Sequence, residues 1–463
     1  MTTRSAQWSR ALTWLPLAVF AAWATTRFHR HVDVSDANLY RVLARHLADD
    51  ESWTALRYLP TAYPRFFEHL PFGLWPMVVV IRLFGERALP VLQLALSCGT
   101  VWLVGRAASN LTGRWAGLGA MTTLALTQNF FFIASLTLLD VPLLLSAAVV
   151  LAALTRERLD GVALGLLLAG TLLGVATKGP FGLMTPGAFV VARAVVDRSL
   201  RAFVLPSAVM LVATLPVVAF VVTSNDWLEL YGRGQLLASV TGARADGDGG
   251  RSFALQKLLE MFWPGLAFFP LLVPGLRRRL EPGAGDSRAV KLVTLASLVL
   301  VVGLSLPARK VAHHVFVAFP LLALTSGVAL RPVLERVVTR WQEQALVVPL
   351  SLFVVAGLVA GWLGVAQLFS GRACVMSTEF AHTFDGIPPG TELEVVAAET
   401  PWPTLSALAA ERRLVPIHVR QLGAVGREWA LVEEPAWASQ PGFVEVQRAR
   451  GWVLVHQPHN TSD

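Results

Sequence analysis

The sequence predicts an all-α polytopic membrane protein with a small α/β domain at its C-terminal end. Three observations carry this. Of 463 residues, 54% are hydrophobic and 15% charged, against about 25% charged in typical soluble domains. Uncharged apolar runs recur at 115–139, 203–225 and 345–370, each long enough to cross a hydrocarbon core of about 30 Å as a helix. From residue 371 no such run follows, and that stretch is acidic, with 11 Asp/Glu against 7 Arg. A membrane β-barrel is excluded because its signature is weak alternation, not solid apolar runs.

Taken in order, residues 11–26 follow Arg4 and Arg10 and form the first span. AAWA at 21–24 has the look of a signal-peptide cleavage site, but the many spans behind it favour an uncleaved anchor. Further spans are expected near 88–105, 115–135, 139–155, 161–177, 179–194, 203–223, 260–276, 292–308, 312–330 and 345–369, eleven in all with the first. The segment 71–84, PFGLWPMVVVIRLF, is apolar but short and holds Pro71 and Pro76. Charge decides its placement. If it does not cross and the N-terminus is cytoplasmic, the short inner connections hold most of the arginines, from Arg106 and Arg114 through Arg156, Arg193 and Arg277 to Arg340. The short outer connections then hold only Lys178, Arg309 and Lys310. That is the positive-inside bias; a crossing at 71–84 would invert it. The segment is therefore expected to lie along the interface or to re-enter.

Two long outer loops result, 27–87 and 224–259, within a transmembrane domain of residues 1–370. In the first, ANLYRVLARHL has Leu39, Val42, Leu43 and Leu47 at helical spacing, with Arg41, Arg45 and His46 opposite. Such a helix lies flat on a membrane or packs on the protein surface. The second has a Gly-rich centre, GARADGDGGRS, expected to be a mobile loop over the site. Asp246 and Asp248 imitate a calcium loop, but position 257 is Lys where that loop needs Glu. Residues 371–463 alternate strand-like runs (LEVVAA, LVPIHV, WALVEE, GWVLVH) with one helical segment, TLSALAAERR. They read as a soluble α/β domain on the outer side, without GxGxxG or a P-loop. Cys98 and Cys374 form no metal or disulfide framework. The net charge of +8 fits inner loops of a membrane protein, not nucleic-acid binding.

The outer connections gather Asp36, Glu68, His69, Asp140, Lys178, Arg309 and Lys310. Asp140, in TLLDVPL, sits where two spans meet; its plainer role is an N-cap. Lys178, in ATKGPFGLMTPG, has no neighbouring acid, and Gly179, Pro180 and Gly182 break the backbone beside it. Its plainer role is a snorkelling lysine at a helix end. His313 and His314 project about 100° apart on a helix, so one of them, not both, could join Glu68 or Asp36 at a cation. Carboxylates and cations at one membrane surface suit group transfer from a lipid-linked phosphate. Cations stabilise the leaving phosphate, and a carboxylate serves as base for the acceptor hydroxyl. With one base and no second nucleophile, single displacement with inversion is expected.

Several stretches resemble the C-type membrane glycosyltransferases, specifically the lipid A aminoarabinose transferase and protein O-mannosyltransferase group. SDANLY resembles that group's first-loop acid followed by Tyr, here Asp36 and Tyr40. FFEHLPFGLW resembles its Tyr-Phe-Glu-Lys-Pro-Pro-Leu element, TLLDVPL its second-loop Asp, and TKGPFGLMTPG its Lys-Gly-Pro turn. RKVAHHVFVAFPLLAL resembles its Lys-x-x-His-Tyr-x-x-Pro segment more loosely. The resemblance covers roughly 11–330, and the outer domain fits the aminoarabinose branch. It implies Asp36 and Asp140 as catalytic acids, and Lys178, Lys310, His69, Arg57 and Tyr40 at the donor phosphate. His69 stands where the group has Lys, so either Arg57 or Arg65 is expected to compensate or the donor differs. Glu68 and His313 are implied as ligands of a divalent cation; no other cofactor is implied. The expected partners are a polyprenyl-phosphate-linked sugar, a lipid (lipid A-like) or protein acceptor and the membrane itself, with the chain a monomer in the cell inner membrane. A lipid-linked sugar flippase is the rival reading, but no internal repeat is present and the charges sit at one surface, not mid-span.

Overall fold

The computed structural model describes residues 14–24, 35–50, 52–58, 65–134, 136–241, 250, 252–263, 265–273, 276–277, 288–307 and 310–337. In the C-terminal segment it describes 355, 384, 387–388, 390–396, 408, 415–419, 427, 429–433, 443–449 and 452–456. The chain divides into two compact units. Unit 1 is Met1–His29, Phe67–Gly73 and Pro90–Gln367; unit 2 is Arg30–Phe66, Leu74–Leu89 and Leu368–Asp463.

Unit 1 is helical. Its elements are α1 (Trp14–Ala24), α4 (Leu89–Thr112), α5 (Arg114–Leu126), α6 (Gln128–Ile133), α7 (Asp140–Leu154), α8 (Gly161–Lys178), α9 (Met184–Asp197) and α10 (Leu200–Thr223). After α11 (Ala238–Thr241) and α12 (Phe253–Met261) come α13 (Arg288–Ser305) and α14 (Ala312–Val337). Among the described residues, five helical stretches are long and apolar enough to cross a membrane. The 24 residues of α10, at 1.5 Å each, reach about 36 Å.

The stretch Gly161–Asp197 is helical almost throughout, yet it is a hairpin, as the two expected spans require. Lys178 at the end of α8 meets Asp140 at the start of α7, 2.8 Å away. Arg193, near the end of α9, donates to the carbonyl of Leu154 at the opposite end of α7, 2.5 Å away. So α8 runs against α7, and α9 returns alongside it. A side chain on Gly182 would begin 2.2 Å from the backbone carbon of Gly174, so only glycine permits this fold-back. The helix α7 is buried on nearly every side, as expected of a helix apolar all round. Its neighbours are α8 and α9; α10 packs on both, and α13 on α9.

Three expected spans differ in detail. The span at 115–135 is interrupted at Thr127, whose backbone is extended (φ −68, ψ 110); its hydroxyl returns to the Thr123 carbonyl at 2.9 Å. At 260–276, α12 ends at Met261 and a 3-10 turn runs Gly265–Leu272 around Pro270, since proline removes a helical donor. The stretch after Val311 opens as a 3-10 turn, Ala312–Ala318. The last expected span, 345–369, and the Gly-rich centre 242–249 lie outside the described residues, apart from Val355.

In unit 2, α2 (Ser35–Asp49) packs on α3 (Trp75–Phe84). Arg82 of α3 donates to the carbonyls of Leu47, Ala48 and Asp50 at the end of α2. At 10 residues, α3 reaches about 15 Å, half a hydrocarbon core. The expectation that 71–84 is not a crossing agrees with this. The arginine face of α2 is not left to a lipid surface: Arg41 and Arg45 both reach Glu86, at 2.9 and 3.4 Å. The polar face of α2 is thus packed against the protein, which is compatible with a helix lying flat on a membrane.

The C-terminal segment of unit 2 forms a five-stranded mixed sheet in the order β2-β1-β3-β5-β4. The strands are β1 (Glu392–Val396), β2 (Val415–Val419), β3 (Trp429–Glu433), β4 (Val444–Ala449) and β5 (Trp452–His456). β1 pairs in parallel with β2 and β3; β5 pairs antiparallel with β3 and β4. Four of these are the strand-like runs of the sequence. The fifth, β4, is an edge strand with Val444 56% exposed and charges in its alternation, so its apolar signal is weak. Of TLSALAAERR only Leu408 is described, helical and buried.

Candidate active site

The sequence TKGPFG builds the turn on which the site stands. The helix α8 ends at Lys178 because Gly179 takes φ 56 and ψ −134, a conformation that residues with a Cβ avoid. Pro180 then opens the short 3-10 turn Gly179–Leu183. This leaves Lys178 at the apex of the hairpin. Its ammonium donates to Oδ1 of Asp140 at 2.8 Å, with side-chain exposures of 9% and 7%. Both charges suit their helices: the carboxylate lies in the first turn of α7 and the ammonium in the last turn of α8. Neither plainer role holds. Leu139, not Asp140, occupies the cap position of α7, and Lys178 is buried and paired instead of snorkelling.

A second expected stretch closes on this pair. A side chain on Gly73 would begin 2.9 Å from the Cα of Thr177 and 3.2 Å from a methyl of Leu139. Those residues precede Lys178 and Asp140 in the chain. FFEHLPFG therefore runs against the backbone that carries both charges, with Glu68 and His69 partly exposed within it. It is anchored by aromatic contacts: Phe67 on Trp227 at 4.9 Å and Phe72 on Phe220 at 4.8 Å, ring to ring.

Trp227 opens an 11-residue π-helix, Trp227–Leu237, a rare form that concentrates at functional sites. One residue of it was missed in the sequence reading. Tyr231 is 4% exposed, and its hydroxyl lies against Gly179: a side chain on that glycine would begin 2.3 Å from Oη. Burial raises the phenol above its usual range, so at neutral pH it remains a hydrogen-bond donor. The available signal was the i, i+4 pair Trp227 and Tyr231 directly after a span, but nothing in it named Gly179 as the neighbour.

RKVAHH also comes to the turn. The ring of His314 packs on Phe181, two residues after Gly179, at 4.4 Å. Lys310 is 8% exposed and lines a small cavity with Phe181, Phe253 and His314. The rings of His313 and His314 meet edge to face, with centroids 4.8 Å apart and an interplanar angle of 89°, in contact with each other where the sequence reading had them project apart. Among the described residues no group of three or more His, Cys, Asp or Glu is placed to hold a metal ion.

The remaining site candidates belong to unit 2. Asp36 lies in the first turn of α2, partly exposed, and Tyr40 one turn on is 2% exposed. Arg57 is exposed and faces Asp50 at 3.8 Å.

No protein-family model and no curated protein matches the chain. Solved structures do. The chain is similar to ArnT from Cupriavidus metallidurans bound to undecaprenyl phosphate, at 18% identity and TM-score 0.69, over 96% of this chain and 98% of that one. The apo form of the same protein gives 19% identity and TM-score 0.69 over 95% and 97%. The oligosaccharyltransferase AglB from Archaeoglobus fulgidus, in complex with an inhibitory peptide and a dolichol-phosphate, gives 12% identity and TM-score 0.56 over 93% and 70%. The chain has the fold of these C-type transferases.

Proposed function

We propose that the chain is a membrane glycosyltransferase that moves a sugar from a polyprenyl-phosphate donor to a lipid acceptor of the cell envelope, of the lipid A type. The observation that carries this is the buried Lys178–Asp140 pair, set where four sequence stretches of the C-type group meet within a C-type fold. Similarity to ArnT over nearly the full length of both chains supports the lipid-acceptor branch. It also supports a place in the cell inner membrane, with the site and C-terminal domain on the outer face.

In this reading Lys178 and Lys310 hold the donor phosphate, and His69, Arg57 and Tyr40 complete its surroundings. Asp36 takes the proton of the acceptor hydroxyl. The acceptor oxygen bonds to the anomeric carbon as the bond to the phosphate oxygen breaks. Polyprenyl phosphate leaves, and the configuration inverts. Developing charge on the leaving phosphate is met by ammonium groups already in place. Asp140 positions Lys178, and the Tyr231 hydroxyl adds a neutral donor beside the turn. No step is assigned to a metal ion.

The test uses membranes containing the protein and a labelled undecaprenyl-phosphate sugar. Asp36→Asn and Lys178→Ala should each abolish transfer at parental protein levels. Full activity in both variants sinks the assignment. Mass spectrometry of envelope lipids and glycoproteins from cells with and without the gene identifies the product and separates lipid from protein acceptors.

A further inference from the structure

At the end of unit 1 opposite the Asp140–Lys178 pair, a second and larger cavity opens. It lies where α4, α5, the C-terminal end of α7 and α8 come together, and its volume is about 580 Å³, within the range of ligand sites. Arg106, Asn110 and Arg156 form its polar wall; Trp14, Trp102 and Leu166 are on the apolar side. An adjoining depression extends the basic rim to Arg158, together with Glu157 and Asp160.

The carboxylates here neutralise the arginines only in part, because the Asp160 pair takes up Arg156 alone. Asp160 is engaged twice: Oδ1 accepts from the Ala163 amide at 2.8 Å, capping α8, and Oδ2 takes Arg156 at 3.2 Å. Among the described residues, neither Arg106 nor Arg158 has an ion pair or hydrogen bond. The wall is fixed, since the Asn110 amide donates to the Ala152 carbonyl at 3.4 Å and the Thr155 hydroxyl at 3.3 Å, tying α4 to α7. A side chain on Gly117 would begin 2.7 Å from the Gly105 carbonyl, so α4 and α5 are held in close approach beside it.

We infer that this cavity binds the phosphodiester headgroup of an anionic phospholipid from the leaflet at this end. Charge complementarity selects the headgroup: guanidinium groups match phosphate in a bidentate fashion, and basic pockets between spanning helices hold anionic headgroups. The apolar side selects a lipid over a free anion. Trp102 lies one helical turn along α4 from Arg106, where tryptophan meets the boundary between headgroups and acyl chains. A soluble phosphate would leave Trp14, Trp102 and Leu166 without use. This site is independent of the transferase reading, because it lies at the other end of α7 and shares no residue with that chemistry.

The full-length protein in neutral detergent is titrated by native mass spectrometry with phosphatidylglycerol, phosphatidylcholine and inorganic phosphate. Phosphatidylglycerol should bind at least about tenfold more tightly than phosphatidylcholine. The double variant Arg106→Gln/Arg158→Gln should lose about tenfold or more of that affinity, each arginine near a membrane surface contributing about 1 kcal/mol. Glu157→Gln, which removes a carboxylate from the rim, should tighten binding, and equal unfolding temperatures in lipid-free detergent exclude misfolding as the cause. Equal binding of the two lipids, or unchanged affinity in the double variant, overturns the inference. Displacement of the lipid by millimolar inorganic phosphate also overturns it, making the cavity a free-anion site.

Discussion

Removing the carboxylate from the Asp140–Lys178 pair should destabilise the protein more than its conservative chemistry suggests. At 2.8 Å and an effective dielectric of about 20, the two charges attract by about 6 kcal/mol, most of which offsets their desolvation. Asp140→Asn keeps the shape and deletes the charge, leaving a buried ammonium without its counter-ion. Breaking such a pair costs about 3–5 kcal/mol, a large share of the 5–15 kcal/mol that holds a typical protein folded. Neutralising both partners, Asp140→Leu with Lys178→Met, removes the orphaned charge, and stability should return close to the parent's. Transfer should stay absent in the double variant, because the phosphate has lost its ammonium. Thermal unfolding of detergent-purified protein, followed by tryptophan fluorescence, reads the first effect; labelled donor reads the second. Parental stability in Asp140→Asn would show that the pair is not coupled as its geometry implies. Transfer by the double-neutral variant would remove Lys178 from the phosphate site.

Gly179→Ala should cost about 1–2 kcal/mol from the positive φ alone, and more because its Cβ would meet the Tyr231 hydroxyl at 2.3 Å. Adding Tyr231→Phe removes that oxygen and leaves the ring carbon 3.6 Å away, so the double variant should be the more stable of the two by thermal unfolding. Gly182→Ala has no such rescue, since the obstruction at 2.2 Å is Gly174 backbone; overpacking costs about 1–3 kcal/mol or more, and recovery of monodisperse protein should fall sharply. The Tyr231 phenol is raised by burial, so its contribution to stability is complete below the unfolded value of about 10 and is lost as pH rises past it. The parent should therefore lose more stability between about pH 9 and 11 than Tyr231→Phe, read as the difference in unfolding temperature.

Much of the site was legible because its chemistry breaks local rules. A lysine followed by Gly-Pro between two apolar runs, and an aspartate at the junction of two others, are costly places for charge. The hairpin at Gly179 and the shortness of α3 followed from turn residues and loop charge. What the sequence did not disclose were the partnerships. Lys178 has no acid nearby, and its counter-ion lies 38 residues away, fixed only once α7 and α8 pack antiparallel. Arg41 and Arg45 read as an unpartnered polar face because Glu86, 45 and 41 residues on, is brought to them by α3. Tyr231 was hidden because its role depends on the missing side chain of Gly179. The break at Thr127 was hidden because its residues are as apolar as those of a continuous span. Periodicity reports which face is buried; it does not report what the face is buried against.

The pairing also divides the acidic roles that sequence alone left together. The Asp140 carboxylate already accepts from an ammonium at 2.8 Å and is 7% exposed. An oxygen so engaged is placed to position Lys178. Asp36 is partly exposed in the first turn of its helix. The proposed function assigns proton removal to Asp36 and orientation of the phosphate cation to Asp140. The two should then fail differently: Asp36→Asn should lower kcat with donor affinity kept, whereas Asp140→Asn should weaken donor binding and stability together. If Asp140→Asn keeps its stability and its affinity for undecaprenyl phosphate while kcat falls, the roles are reversed.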